Sequence, residues 1–161
     1  MYVLKPGIKK DPQRRWALPD RIFFGHGACH ILAGAYLARP PHAGFHPERI
    51  IPHDGLPGFH VFVTDGLVAF DYHGYCLRRR LLDHHARSWA RQHAGWAFKT
   101  ERVAFNLLDT GALNAHKMLG PDQYLHNAQP RADAFLRRID HRRAYKRALE
   151  LTQEPADGMD W

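Results

Sequence analysis

Two apolar runs separated by an Asp-Gly pair constrain the fold of this chain more than any other feature. Residues 58–64 and 67–72 are rich in β-branched and aromatic side chains, and Asp65-Gly66 stands between them. Asp-Gly is a preferred pair for a two-residue turn that joins antiparallel strands. The sequence therefore predicts a β-hairpin over residues 58–72.

A two-residue turn also determines which residues of the hairpin face each other. Counting outward from Asp65-Gly66 places His60 opposite Asp71. Directly opposed residues lie on one face of the sheet with Cβ atoms about 4.5–5.5 Å apart, a distance that suits an imidazole–carboxylate hydrogen bond. Such a bond fixes the imidazole tautomer and stabilises the imidazolium, as the acid of a nucleophile–His–acid triad does. The alternative is an ordinary His–Asp contact on the surface.

Cys29 is the candidate nucleophile, because it begins a helix predicted over residues 29–39. Gly25-His26-Gly27 leads into this helix and Pro40-Pro41 ends it. Unpaired N–H groups and the helix dipole favour an anion at a helix N-terminus, so they lower the pKa of a thiol there. A neighbouring His60 imidazolium lowers it further and gives the ion pair of thiol acyl transfer. The alternative is a small apolar core residue.

The backbone beside Cys29 supplies candidate donors for a developing oxyanion. The N–H of Cys29 and that of Gly27 or Ala28 are placed to point at such an oxygen. His26 is the candidate side-chain donor. This chemistry requires no organic cofactor.

The order of these residues resembles that of the transglutaminase-like and arylamine N-acetyltransferase-like enzymes of the papain-like cysteine superfamily. The matching segments are residues 25–29, 58–63 and 70–71. The resemblance implies an α+β fold in which a Cys-bearing helix packs on a mostly antiparallel sheet. It further implies a cysteine-dependent acyl transferase or amide or thioester hydrolase acting on an acyl or peptide-like substrate. Cys29 would then attack the carbonyl, His60 would move the proton, and Asp71 would orient His60.

Length and composition favour one modest domain. A chain of 161 residues, 45% of them apolar, can bury a core of its own. We predict an N-terminal arm at residues 1–20, a single catalytic-type domain at 21–154 and a tail at 155–161.

Four further elements complete the predicted organisation. Residues 40–58, rich in proline and glycine, are expected to be mostly loop and to shape the substrate entrance. A strand is predicted within residues 96–108, and helices are predicted over 77–93 and 132–151 from their apolar periodicity. The hairpin and these elements together predict the α+β class.

The sequence favours a cytoplasmic protein with no membrane association. No apolar run approaches the roughly 20 residues of a membrane-spanning helix. Lys5 and Pro6 interrupt the N-terminus too early for a signal peptide. Cys29 and Cys76 are too few for a disulfide framework.

Two basic blocks suggest an anionic partner and a different class of function. Residues 78–102 carry seven basic and two acidic side chains, and residues 131–150 carry seven and three. Arginines beside Trp89 and Trp96 combine phosphate neutralisation with base stacking, so the alternative is a non-catalytic nucleic-acid-binding module.

A zinc site is a further alternative for the residues around Cys29. His26-x-x-Cys29 has the spacing of half such a site. Because no matching Cys/His half stands out elsewhere in the sequence, no metal is predicted.

Overall fold

The computed structural model of the protein describes residues 4–151 and contains a five-stranded antiparallel sheet with the strand order β4-β3-β2-β1-β5. The strands are β1 (His46–Pro52), β2 (His60–Thr64), β3 (Val68–Asp71), β4 (Gly74–Leu77) and β5 (Phe98–Arg102). The α-helices in this part of the chain are α1 (Pro12–Trp16), α2 (Asp20–Phe23), α3 (Cys29–Ala38), α4 (Arg78–Ala90), α5 (Thr110–Ala115), α6 (Ala128–Arg137) and α7 (His141–Glu150). The predicted α+β class is confirmed.

Side-chain alternation along the central strand β2 divides the interior into two cores. Val61 and Val63 belong to the larger core, which also contains the buried face of α3. Phe62 points the other way, into a smaller core that includes Leu81 of α4 and Trp96. All five residues of β2 are buried, as expected for a strand with helices on both faces.

Helix α3 begins at Cys29, as predicted, and ends one residue before the predicted boundary. It contacts α6 and β2, so the Cys-bearing helix lies on the sheet. Eight of its ten residues are buried, which makes it the central helix of the larger core.

The prediction that residues 40–58 are mostly loop is wrong for β1. This strand lies inside the sheet and pairs with β2 on one side and β5 on the other. Proline usually excludes a central strand because it cannot donate a ladder hydrogen bond. Pro47 and Pro52 occupy the second and the last positions of β1, while Ile50 between them is fully buried. Residues 46–52 of this segment are therefore part of the sheet, and the role of the segment at the substrate entrance stays a prediction.

Part of the predicted N-terminal arm, residues 1–20, packs on the rest of the domain. Ile8 and Leu18 are buried in the larger core. Helix α1 begins after Asp11, whose side chain accepts hydrogen bonds from the N–H groups of Gln13 and Arg14. The predicted tail at 155–161 lies outside the described residues.

The helix predicted over residues 132–151 is two helices. Helix α6 begins at Ala128 and ends at Arg137, and α7 begins after Asp140, which caps the N–H of Arg143. Strand β4 was not predicted. It pairs with β3, with Gly74 opposite Asp71 and Leu77 opposite Val68.

None of the helices within residues 4–151 is long and apolar enough to cross a membrane.

Candidate active site

The hairpin register differs from the predicted one by two residues. Val63 pairs with Phe70 and Thr64 pairs with Ala69, whereas the predicted partners were Val68 and Leu67. A shift by an odd number of residues moves every side chain to the opposite face, but an even shift preserves the faces. His60 and Asp71 therefore still share a face, as diagonal rather than directly opposed residues.

The turn itself explains this shift. Asp65 and Val68 close the turn, because the N–H of Asp65 donates to the carbonyl of Val68. Asp65 is therefore a paired residue and not one of the two turn residues. Its carboxylate accepts hydrogen bonds from the N–H groups of Leu67 and Val68 at 2.9 and 2.8 Å. Gly66 has a φ of +99°, which glycine adopts readily. The predicted turn at Asp65-Gly66 is wrong, and the turn residues are Gly66 and Leu67.

His60 and Asp71 are joined by a buried hydrogen bond. The Nε2 atom of His60 lies 2.9 Å from Oδ2 of Asp71, and the two residues are only 3% and 5% exposed. The second carboxylate oxygen accepts the backbone N–H of His73 at 2.8 Å. With both oxygens bonded, the carboxylate is fixed. The alternative of a surface contact does not describe this pair.

The two groups hold each other in their charged forms. Burial by itself raises the pKa of Asp71, but its hydrogen bonds with His60 and His73 bring that pKa below the usual range. Burial by itself lowers the pKa of His60, but hydrogen bonds with Asp71 and Cys29 raise it to about 10. At neutral pH the pair is an imidazolium and a carboxylate.

Cys29 lies against this pair, at the first position of α3. Its residue is 8% exposed, and its Sγ accepts the backbone N–H of Val61 at 3.4 Å. Burial raises the pKa of the thiol, but hydrogen bonds with His30 and His60 and the charges of those rings lower it to about 5. The sulfur lines a pocket whose walls are mostly apolar, among them Phe24, Leu32 and Phe70. The two imidazoles, rather than polar surroundings in general, therefore favour the thiolate.

The site lies where strands β2 and β3 separate. The pairing of these two strands ends at Val63 and Phe70. The N–H of Asp65 points toward β3, and because N–H groups alternate in direction along a strand, that of Val61 does as well. The Cys29 sulfur takes the place of a strand acceptor for this N–H. Helix α3 packs on one face of the sheet and the His60–Asp71 pair belongs to the other, so the site crosses the end of the sheet.

Two side chains fix the peptide that precedes the nucleophile. The Gly27 carbonyl accepts a hydrogen bond from the hydroxyl of Tyr124 at 2.7 Å and one from Nη2 of Arg15 at 3.1 Å. Gly27 has a φ of +111°, and a Cβ there would lie 2.2 Å from the same Arg15 nitrogen. Because C=O and N–H point in opposite directions across a peptide, the N–H of Ala28 points away from these donors. The oxyanion role of Gly27 and Ala28 stays a prediction.

His26 lies in the electrostatic field of the site. Burial is the largest cause of its lowered pKa, followed by the positive charges of Lys9 and His60. These interactions place it in the neighbourhood of His60. Its role as an oxyanion donor also stays a prediction.

Sequence reasoning missed two histidines that contact the candidate triad. His30 is 3% exposed, and its Nε2 donates to the carbonyl of Leu119 at 2.7 Å while the ring also contacts the thiol. Its position next to Cys29 in the sequence is a signal that could have identified it. His85 of α4 stacks on His60. No local pattern signals that contact, because it depends on how α4 is rotated against the sheet.

Some of the side chains that suggested nucleic-acid binding make contacts within the fold instead. Trp96 is buried and its indole N–H donates to the carbonyl of Pro57 at 2.8 Å, so it offers no stacking surface. Arg78 makes a two-pronged ion pair with Glu48. Among the described side chains, no group of three or more His, Cys, Asp or Glu residues is arranged to hold a metal ion.

Comparisons with known proteins do not assign the chain to a family. No protein-family model, curated protein or solved structure gives a significant match to the chain. The resemblance to transglutaminase-like enzymes therefore stays a prediction.

Proposed function

We propose that the protein is a cysteine-dependent acyl transferase or an amide or thioester hydrolase. One observation carries the proposal: the Cys29 sulfur accepts the N–H of Val61, the residue after His60, at 3.4 Å, while Nε2 of His60 is bonded to the buried carboxylate of Asp71 at 2.9 Å. The Nε2 bond leaves Nδ1 as the ring nitrogen for the thiol. A nucleophile, a base and an orienting acid in this sequence are the arrangement that nucleophilic acyl transfer uses.

The first half of the proposed reaction transfers the acyl group to the enzyme. The Cys29 thiolate attacks the substrate carbonyl carbon, and the carbonyl π electrons move to oxygen to give a tetrahedral oxyanion. N–H groups at the start of α3 stabilise this charge. The intermediate collapses as the bond to the leaving group breaks, and the His60 imidazolium gives its proton to that group. The product is a thioester on Cys29.

The second half releases the acyl group. Water or another acceptor attacks the thioester carbonyl, and neutral His60 takes the proton of that acceptor. The C–S bond then breaks and restores the thiolate and the imidazolium. Asp71 keeps its proton-free form throughout and holds the ring of His60 in place.

The thioester is the intermediate that tests this proposal most directly. The protein is mixed with p-nitrophenyl acetate, quenched in acid, digested and analysed by mass spectrometry. We expect acetylation of the peptide that contains Cys29 and release of more than one equivalent of p-nitrophenol. Absence of the acetyl group from Cys29 in the wild-type protein would contradict the proposal.

Cys76 provides a matched control on the same chain. Burial raises the pKa of this second thiol to about 12, so little of it is thiolate at neutral pH. The Cys76→Ala variant is expected to retain the acetylated intermediate, and Cys29→Ala is expected to lose it. Equal labelling of both cysteines would show non-selective chemistry.

A further inference from the structure

The ring of His85, on α4, lies flat against the ring of His60. The two ring centroids are 5.4 Å apart and the planes are inclined by only 17°. Tyr72 contacts the same imidazole edge-on, at 5.8 Å and 88°. The plane of His60 is therefore defined by one ring from α4 and one from the turn after β3, in addition to its bond with Asp71.

His85 is itself held in one orientation. Its Nε2 lies 2.6 Å from the carbonyl of Gly58, and because a carbonyl only accepts, Nε2 carries the hydrogen. Gly58 has a φ of +121°, and a Cβ there would lie 2.8 Å from the Trp96 ring. The hydrogen bond thus joins α4 to a tightly packed position two residues before His60.

His85 is neutral where His60 is charged. Burial is the main cause that lowers the pKa of His85 to about 4, and the positive charge of His60 lowers it further. The other charged and titratable groups that act on it are Asp71 and His84. A neutral aromatic face attracts a cation, whereas two stacked imidazolium rings repel each other. His85 therefore supports the imidazolium form of His60.

We propose that His85 is a positioning residue that holds the plane of His60, so that Nε2 remains on Asp71 and the other ring nitrogen remains on the Cys29 thiol. This inference rests on the proposed function, because it concerns the same thiolate–imidazolium pair. The flat ring of His85 holds His60 by stacking on it, and the hydrogen bond to Gly58 orients the ring of His85. A histidine that only filled space in the smaller core would not affect the titration of Cys29.

Two substitutions separate the ring from the hydrogen bond. His85→Phe keeps a flat aromatic ring and removes the donor, whereas His85→Gln keeps an N–H donor and removes the ring. His84→Gln is the matched control, since His84 is an exposed neighbour on the same helix that contacts His73 instead. The measurement is the rate of Cys29 alkylation by iodoacetamide between pH 4 and pH 10, in the Cys76→Ala background.

We expect the apparent pKa of Cys29 to rise by about one unit in His85→Gln, which lowers the thiolate fraction at pH 5 about fivefold. His85→Phe is expected to remain within about twofold of the parent protein, and His84→Gln is expected to titrate as the parent does. Circular dichroism checks that each variant is folded.

Three results would overturn the inference. A folded His85→Gln that titrates like the parent shows that the ring has no effect on His60. A folded His85→Phe that loses the low-pKa thiolate while His85→Gln keeps it assigns the effect to the hydrogen bond alone. A parent protein whose Cys29 titrates like a free thiol removes the proposed function as well, so the two failures are distinguishable.

Discussion

The two cysteines of this chain are both shielded from solvent, Cys29 almost fully and Cys76 in part, but they differ in their position in the fold and in their thiol pKa. Cys29 begins a helix at the end of the sheet, whereas Cys76 lies within β4. Burial raises the pKa of each thiol, yet Cys29 has a pKa of about 5 and Cys76 a pKa of about 12. Burial alone therefore does not decide whether a thiol is reactive.

Their charged neighbours account for the difference. His30 and His60 stabilise the thiolate of Cys29 through hydrogen bonds and positive charge. The dominant charge acting on Cys76 is the Asp71 carboxylate, which raises its pKa. The same carboxylate thus favours one thiolate through His60 and disfavours the other directly.

The largest expected effect separates the two thiols by activity. Cys29→Ala should lower kcat/KM for p-nitrophenyl acetate by at least about a thousandfold, as expected when a nucleophile of a triad is removed. Cys76→Ala should leave it unchanged. Circular dichroism checks that both variants are folded. A Cys29→Ala variant with parental turnover would place the chemistry elsewhere.

Asp71→Asn should move the two thiol pKa values in opposite directions. Without the carboxylate, His60 loses its charged partner and the pKa of Cys29 rises. Cys76 loses the negative charge that opposes its ionisation, so its pKa falls. Turnover should fall by about two to four orders of magnitude, as for a tautomer-setting acid. Alkylation of each cysteine against pH, resolved by mass spectrometry, gives both values, and parallel shifts would contradict the shared role.

The ion pair also predicts how stability depends on pH. The pKa of His60 is raised from 6.5 to about 10, so its contribution is complete below pH 6.5 and is lost as pH rises toward 10. The pKa of Cys29 is lowered from 9.0 to about 5, so its contribution is complete above pH 9 and is lost as pH falls toward 5. The two slopes cancel between pH 6.5 and pH 9.

This pair should therefore give a plateau of stability with a fall on either side. Outside the plateau one proton is linked to unfolding, which corresponds to about 1.4 kcal/mol per pH unit. Urea unfolding at a series of pH values measures the free energy of unfolding. The Cys29→Ala/His60→Gln double variant serves as the reference, because it lacks both groups. A difference curve that stays flat from pH 5 to pH 10 would show that the pair is not formed.

The candidate triad residues could be predicted from the sequence because local patterns place Cys29 at a helix start and place His60 and Asp71 on one face of a hairpin. Cys29 was placed by the apolar spacing and the Pro40-Pro41 stop of its helix. His60 and Asp71 were placed on one face by strand alternation, which survives the two-residue error in register. The register itself was missed, because the Asp65 side chain caps the turn and competes with the preferred turn pair.

Features that depend on tertiary packing were not visible in the sequence. Strand β1 contains two prolines, and only its position between β2 and β5 makes it a strand. The break between α6 and α7 is marked by one capping residue, Asp140, inside a continuous apolar periodicity. The stacking of His85 on His60 depends on the rotation of α4 about its axis.

The smallest expected effect concerns His30, the second imidazole at the reactive thiol. His30→Gln retains a donor for the Leu119 carbonyl but loses the ring that contacts Cys29. Because His60 and Asp71 remain, the pKa of Cys29 should rise by less than about one unit, and turnover should fall less than about tenfold. His30→Leu also leaves the carbonyl without its donor, which should cost about 1–3 kcal/mol of stability. Comparing alkylation profiles with urea unfolding separates these two effects. A Gln variant as impaired as Asp71→Asn would make His30, rather than His60, the base that serves the reactive thiol.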